Sequence, residues 1–150
     1  MFTEKIQEKI KIELANIDKE IEVFNLLLKK ISSKEPDNIE IRSIASILHS
    51  FYNGVEKIFN LILENYNKEK PKGEDSHRKL LSILSNKTNS RDFILSNDLV
   101  NKLNDYLGFR HFYRHAYGFQ INHKLLKPLI DNLNDVYNDL KLILSNFMKI

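Results

Sequence analysis

The chain has 150 residues, a formal net charge of +3, 42% hydrophobic residues to supply a core, and no cysteine. That length argues for one domain over residues 1–150, able to bury roughly 70% of the unfolded chain's surface without a disulfide or a structural metal. The lack of cysteine excludes disulfides, thiol catalysis and cysteine-based zinc sites and suits a reducing cytosol, so a cytoplasmic location is expected.

The mild positive charge permits nucleic-acid binding without demanding it. The opening stretch Met1-Phe2-Thr3-Glu4-Lys5-Ile6 is charged and amphipathic, unlike a secretory signal. No apolar run approaches ~20 residues, so no membrane span is expected. With 4 glycines and 3 prolines there are few forced breaks, which favours long helices.

The first apolar seam is Ile6, Ile10, Leu14, Ile17, Ile21, Phe24, Leu28 and Ile31. Its steps alternate between four and three, which predicts an amphipathic helix with a narrow, coiled-coil-like stripe. Ser32 to Asp37 interrupts it: Pro36 disfavours helix at Glu35, and Asp37 or Asn38 can cap the next helix. The second seam runs Ile41, Ile44, Leu48, Phe51, Val55, Ile58, Ile62 and ends near Tyr66. Gly54 inside it costs about 1 kcal/mol relative to Ala and marks a place of close helix contact.

Asn67 to Asp75 is a lysine-rich polar loop holding Pro71 and Gly73. Together with His77, Arg78 and Lys79 it reads either as a solvated loop or as a basic rim for a nucleic acid. A short third helix is expected from Ser76 to about Asn86, with Leu80, Leu81 and Leu84 inward. Lys87 to Arg91 is a second break, and Phe93, Ile94 and Leu95 pack as a turn under the bundle.

Ser96-Asn97-Asp98 caps a fourth helix, from about Asp98 to Tyr117, with Leu99, Leu103, Tyr106, Leu107, Phe109, Tyr113 and Ala116 toward the core and Gly118 placed to stop it. After a connector, Phe119 to His123, the last helix runs from about Lys124 to Met148 along Leu126, Leu129, Leu133, Val136, Leu140, Ile143 and Phe147, with Pro128 in the first turn. The sum is an all-α, up-down antiparallel bundle of four long helices plus a short one.

The reactive side chains concentrate in Phe109-Arg110-His111-Phe112-Tyr113-Arg114-His115-Ala116-Tyr117-Gly118. A histidine exchanges protons near neutral pH, and an arginine forks onto phosphate oxygens. Together they suffice for metal-independent RNA cleavage, one group activating the 2′-hydroxyl and another stabilising the charge of the phosphorane-like transition state. Each alone also fits a surface ion pair or a satisfied histidine. Residues five apart lie about 140° around an ideal helix, so Arg110 and His115 do not share a face, whereas Arg110, Arg114 and Tyr117 do. His111 and His115 stand at i, i+4, but without a flanking carboxylate they make an incomplete metal site, and neither a metal nor any other cofactor is expected.

The pattern Arg110-x-x-x-x-His115-x-Tyr117 resembles the signature of HepT-type toxins of the HEPN superfamily, and His111 suits the polar position after the arginine there. Its place late in the penultimate long helix, before a connector and one last helix, is similar to that family too. The resemblance implies a HEPN-like domain that dimerises so that two copies of the motif line one cleft. It implies a ribonuclease with Arg110 and His115 as the catalytic pair, and His111 orienting them or contacting the RNA phosphate. Arg114 lies outside the required pattern; it either aids RNA binding or only packs. Tyr117 would be the residue to which a nucleotidyltransferase antitoxin of the MntA kind transfers AMP. Each AMP adds a bulky anion two residues from His115, which would block the cleft and repel RNA. The alternatives are a non-catalytic helical binding subunit of a nucleotidyltransferase and a purely structural helical dimer.

Overall fold

The computed structural model describes residues 4–32, 34–66, 76–85 and 95–148. Among these residues five α-helices run in order: α1 (Glu4–Ile31), α2 (Asn38–Tyr66), α3 (Ser76–Leu84), α4 (Asn97–His115) and α5 (His123–Met148), with a 3-10 turn, Gly118–Gln120, before the last. Among the described residues there is no strand. The expected all-α bundle of four long helices and a short one is what forms.

Side-chain pairs give the directions. Asp18 meets Tyr137 while Asn25 meets Asn134, so α1 and α5 run antiparallel. His49 stacks on Tyr113 while Asn53 meets Arg110, so α2 and α4 do as well. Lys102 reaches Asp139 and Tyr106 donates to the Leu129 carbonyl at 2.8 Å, which sets α4 against α5.

The α2 helix is the hub. Asp37 caps it in a reciprocal box: its Oδ1 accepts from the Glu40 N–H at 2.8 Å, and its own N–H donates to Glu40 Oε1 at 3.0 Å. Beyond the expected seam it also buries Ala45, Ile47, Tyr52, Phe59 and Leu63, because α1, α3, α4 and α5 all pack on it. At Gly54 α1 packs tightly on α2: a Cβ there would lie 2.7 Å from Ile17 Cγ1. The α1 helix ends at Ile31, and Ser32 after it has a left-handed φ of +59°, a conformation a non-glycine residue adopts at a cost.

Several boundaries differ from the sequence reading. The α3 helix stops at Leu84, and Ser85 closes its last turn with an N–H to the Leu81 carbonyl at 3.1 Å. The α4 helix starts one residue early, because Ser96 itself is the cap and accepts from the Leu99 N–H at 3.1 Å. The α5 helix starts at His123 under Asn122, whose Oδ1 accepts from the Leu125 N–H at 2.9 Å. Pro128 therefore lies in the second turn and not the first, with its carbonyl accepting from Asn132 Nδ2 at 2.9 Å.

The buried face of α5 drifts to Tyr137, Leu144 and Met148, leaving Ile143 and Phe147 only partly covered. That is the period of a straight α-helix and not the tighter 3.5 of a supercoil. Leu107, Tyr113 and Ala116 are half-covered and not core. Leu95 is buried as expected, and its N–H donates to the Leu84 carbonyl at 2.9 Å. The readings of residues 67–75, Lys87 to Arg91, Phe93 and Ile94 fall outside the described residues. Among those described, no helix is long and apolar enough to cross a membrane.

Candidate functional site

The reactive decapeptide forms the last turns of α4 and the start of the connector. His115 is the final helical residue. Ala116 is already extended, with φ −94° and ψ 148°, while its N–H still donates to the Phe112 carbonyl at 2.9 Å. Tyr117 is extended too, so it does not continue the face of Arg110 and Arg114, contrary to the expected boundary. Its N–H donates to Gln120 Oε1 at 2.7 Å. Its ring stands in solvent, 73% exposed, stacked nearly parallel on Phe119 at 5.9 Å. Gly118 does not stop the helix by a left-handed turn, because the chain has already left it at Ala116. The flexible end of Arg42 lies over Gly118: a Cβ at 118 would lie 2.7 Å from the Arg42 guanidinium carbon.

Arg110 points the other way, into the α2–α4 interface. Its Nε donates to Asn53 Oδ1 at 3.3 Å and lies 3.6 Å from Glu56 Oε1. Glu56 is buried, only 6% exposed. Its other oxygen accepts from His77 Nδ1, on α3, at 2.6 Å. One carboxylate thus links three helices, and a buried carboxylate needs such partners. Asn53 faces His49 with its amide nitrogen, 3.4 Å from Nδ1.

The His49 ring stacks on Tyr113 at 4.8 Å, with its Nε2 buried and unpartnered. Burial, and then the Arg110 and Arg114 guanidiniums beside it, hold His49 below the ordinary histidine range. Tyr52, on the same helix, is pushed upward by burial and by the Glu56 charge.

The motif residues are therefore only partly brought together in one chain. His111 and His115 are exposed neighbours with ring centroids 4.9 Å apart, and Arg114 is exposed beside them. Arg110 and His115 diverge, as their spacing on the helix dictates. Among the described residues no cluster of three or more metal-ligand side chains forms. Beside Arg110 an open depression of about 610 Å³ lies between α3 and α4, lined by His77, Arg78, Asn104, Gly108, Arg110 and His111. Its charged and titratable lining is cationic or imidazole, which suits a phosphate chain.

The motif alone did not disclose the residues that hold Arg110. The signal was present in α2: His49, Asn53 and Glu56 stand at i, i+4 and i+7, one polar line inside the apolar stretch Leu48 to Phe59. His77 carried no such signal, since only the tertiary fold brings α3 to Glu56.

No curated protein and no solved structure matches the chain. A protein-family comparison does: residues 43–150 match the family described as HepT-like protein, from the first turns of α2 through the end of α5 and beyond. That span holds the whole polar cluster and the Arg110-to-Tyr117 signature on an all-helical bundle, and the chain accordingly belongs to the HepT-like family of the HEPN superfamily, a class associated with toxin–antitoxin pairs.

Proposed function

We propose that this chain, acting as one HEPN-like domain, is the toxin of a toxin–antitoxin pair and a metal-independent endoribonuclease. The observation that carries the reading is the placement of Arg110. It is fixed by Asn53 and Glu56 at the edge of an open cationic depression, while His115 ends the same helix in solvent. A preorganised guanidinium stabilises the charge of a phosphorane-like transition state, and a histidine moves a proton. Because the two side chains diverge within one chain, a homodimer in which two copies of the motif line a shared cleft supplies the complete site. Arg114 and His111 then contact RNA phosphates.

Regulation is by AMP transfer from a nucleotidyltransferase antitoxin to Tyr117. The exposed phenol, outside the helix and two residues from His115, supports this reading. An AMP group there places an anion at the cleft. The competing reading, a non-catalytic binding subunit of a nucleotidyltransferase, draws on the same exposed Tyr117–Phe119 pair as a docking surface.

Expression in a host with and without a nucleotidyltransferase antitoxin of the MntA kind separates the two. The toxin reading expects arrested growth alone, relief by the partner, and added AMP mass on Tyr117. Normal growth in both cases with unmodified Tyr117 overturns it.

A further inference from the structure

RNA cleavage by transesterification needs two proton transfers, one from the 2′-hydroxyl and one to the leaving 5′-oxygen. The family motif offers one histidine for this. Another histidine, outside the motif, lines the depression beside Arg110. His77 lines it together with Arg110 and His111, and its side chain is 37% exposed. Its Nδ1 lies 2.6 Å from Glu56 Oε2. A carboxylate only accepts, so Nδ1 carries the hydrogen and, in the neutral ring, Nε2 is the acceptor. The same carboxylate lies 3.6 Å from Arg110 Nε, so one buried group orients both the phosphate-binding guanidinium and the imidazole. A carboxylate that fixes the tautomer and orientation of a base is a recurrent catalytic arrangement.

We infer that His77, oriented by Glu56, is the general base of the ribonuclease site. This inference rests on the ribonuclease reading above. His77 Nε2 takes the proton of the 2′-hydroxyl. O2′ bonds to phosphorus, the P–O5′ bond breaks, and the 5′-oxygen takes a proton from His115 of the second protomer in the shared cleft, giving a 2′,3′-cyclic phosphate and a 5′-hydroxyl. Arg110 carries the extra charge on the non-bridging oxygens. Exchange with water restores both histidines. The arrangement also gives α3 a task, since it delivers His77 to the edge of the motif helix.

The test separates proton transfer from mere support. His77→Asn keeps a donor nitrogen where Nδ1 stood and so keeps the bond to Glu56, but it removes the acceptor. The purified full chain and this variant are compared for cleavage of single-stranded RNA and for thermal melting. The expected result is an unchanged melting curve and cleavage slower by about 100-fold. A variant that cleaves like wild type overturns the role of His77 and leaves the ribonuclease reading standing. A wild-type protein that cleaves no RNA overturns both. A second measurement needs no variant: a 2′-O-methyl RNA oligonucleotide, which cannot be cleaved, is titrated into wild-type protein while the His77 ring resonances are followed by NMR. Their displacement is expected, and unmoved resonances under saturation of Arg110 overturn the proposal.

Discussion

Arg110 Nε lies 3.6 Å from Glu56 Oε1, across the interface of α2 and α4, so the arginine of the signature is also a structural partner. The Glu56 side chain is 8% exposed and that of Arg110 12% exposed. A pair this enclosed is not equivalent to a surface ion pair, because removing Arg110 leaves the buried Glu56 carboxylate to His77 alone of its two charge partners, in a place too enclosed for water to replace the guanidinium.

Arg110→Ala is therefore expected to cost about 3 kcal/mol of stability in addition to any loss of cleavage. His115→Ala, at an exposed helix end, is expected to change stability by less than about 0.5 kcal/mol. Urea denaturation of both variants checks this. Equal stability losses would show that Glu56 does not depend on Arg110.

The same substitution at two glycines is expected to act with opposite sign. Gly54→Ala places a Cβ 2.7 Å from Ile17 Cγ1 in the closed α1–α2 contact, where Ile17 is 2% exposed. Overpacking there costs about 1–3 kcal/mol and outweighs the gain in helix propensity. Gly108→Ala meets nothing within 4 Å, so only the propensity gain remains, about 1 kcal/mol of stabilisation. In an Ile17→Ala background the cost of Gly54→Ala should shrink, since its obstacle is gone. Thermal melts of these variants form the cycle, and an unchanged cost would break the assignment.

Ser32 holds a φ of +59° where α1 ends. Ser32→Gly is expected to stabilise the protein by about 1 kcal/mol, because glycine takes the left-handed conformation without a Cβ penalty. Loss of stability in a denaturant titration would contradict that strain.

His49 is held below its ordinary range by burial first and then by Arg110 and Arg114. The unfolded chain therefore binds a proton at a higher pH than the folded one. Stability from this site is complete above about pH 6.5 and declines as pH falls through that ordinary value toward the lowered one in the folded state. His49→Phe keeps an aromatic ring against Tyr113 and removes the titration. The stability of wild type relative to this variant should fall between about pH 7.5 and about pH 5.5, and a constant difference would contradict the burial of His49.

The bundle was legible in the sequence because helix periodicity is a local signal: the seams of α1 and α2 predicted most of their buried residues, and Gly54 pointed to the close contact with Ile17. The end of α4 was not. Gly118 looked like a helix stop, but the chain leaves the helix at Ala116, and the side chain that lies over the glycine is Arg42, 76 positions away in the sequence. The reactive residues Arg110 to Tyr117 could be read directly, since their types and spacing are written in one stretch. What holds Arg110 could not, because Glu56 and His77 are joined to it only by packing of α2, α3 and α4. The one trace was a buried-face glutamate with His49 and Asn53 in line with it. In α5 the seam was read with a period of 3.5, and the straight helix carried the buried face on to Leu144 and Met148.

The proposed reaction needs Arg110 and His115 in one ribonuclease site. Cleavage of single-stranded RNA by the purified chain in excess EDTA is compared with cleavage by the His115→Ala variant at matched folded concentration. Cleavage by wild type and a loss of at least about 100-fold in the variant are expected. No cleavage by unmodified wild-type protein, or equal cleavage by the two, would contradict it.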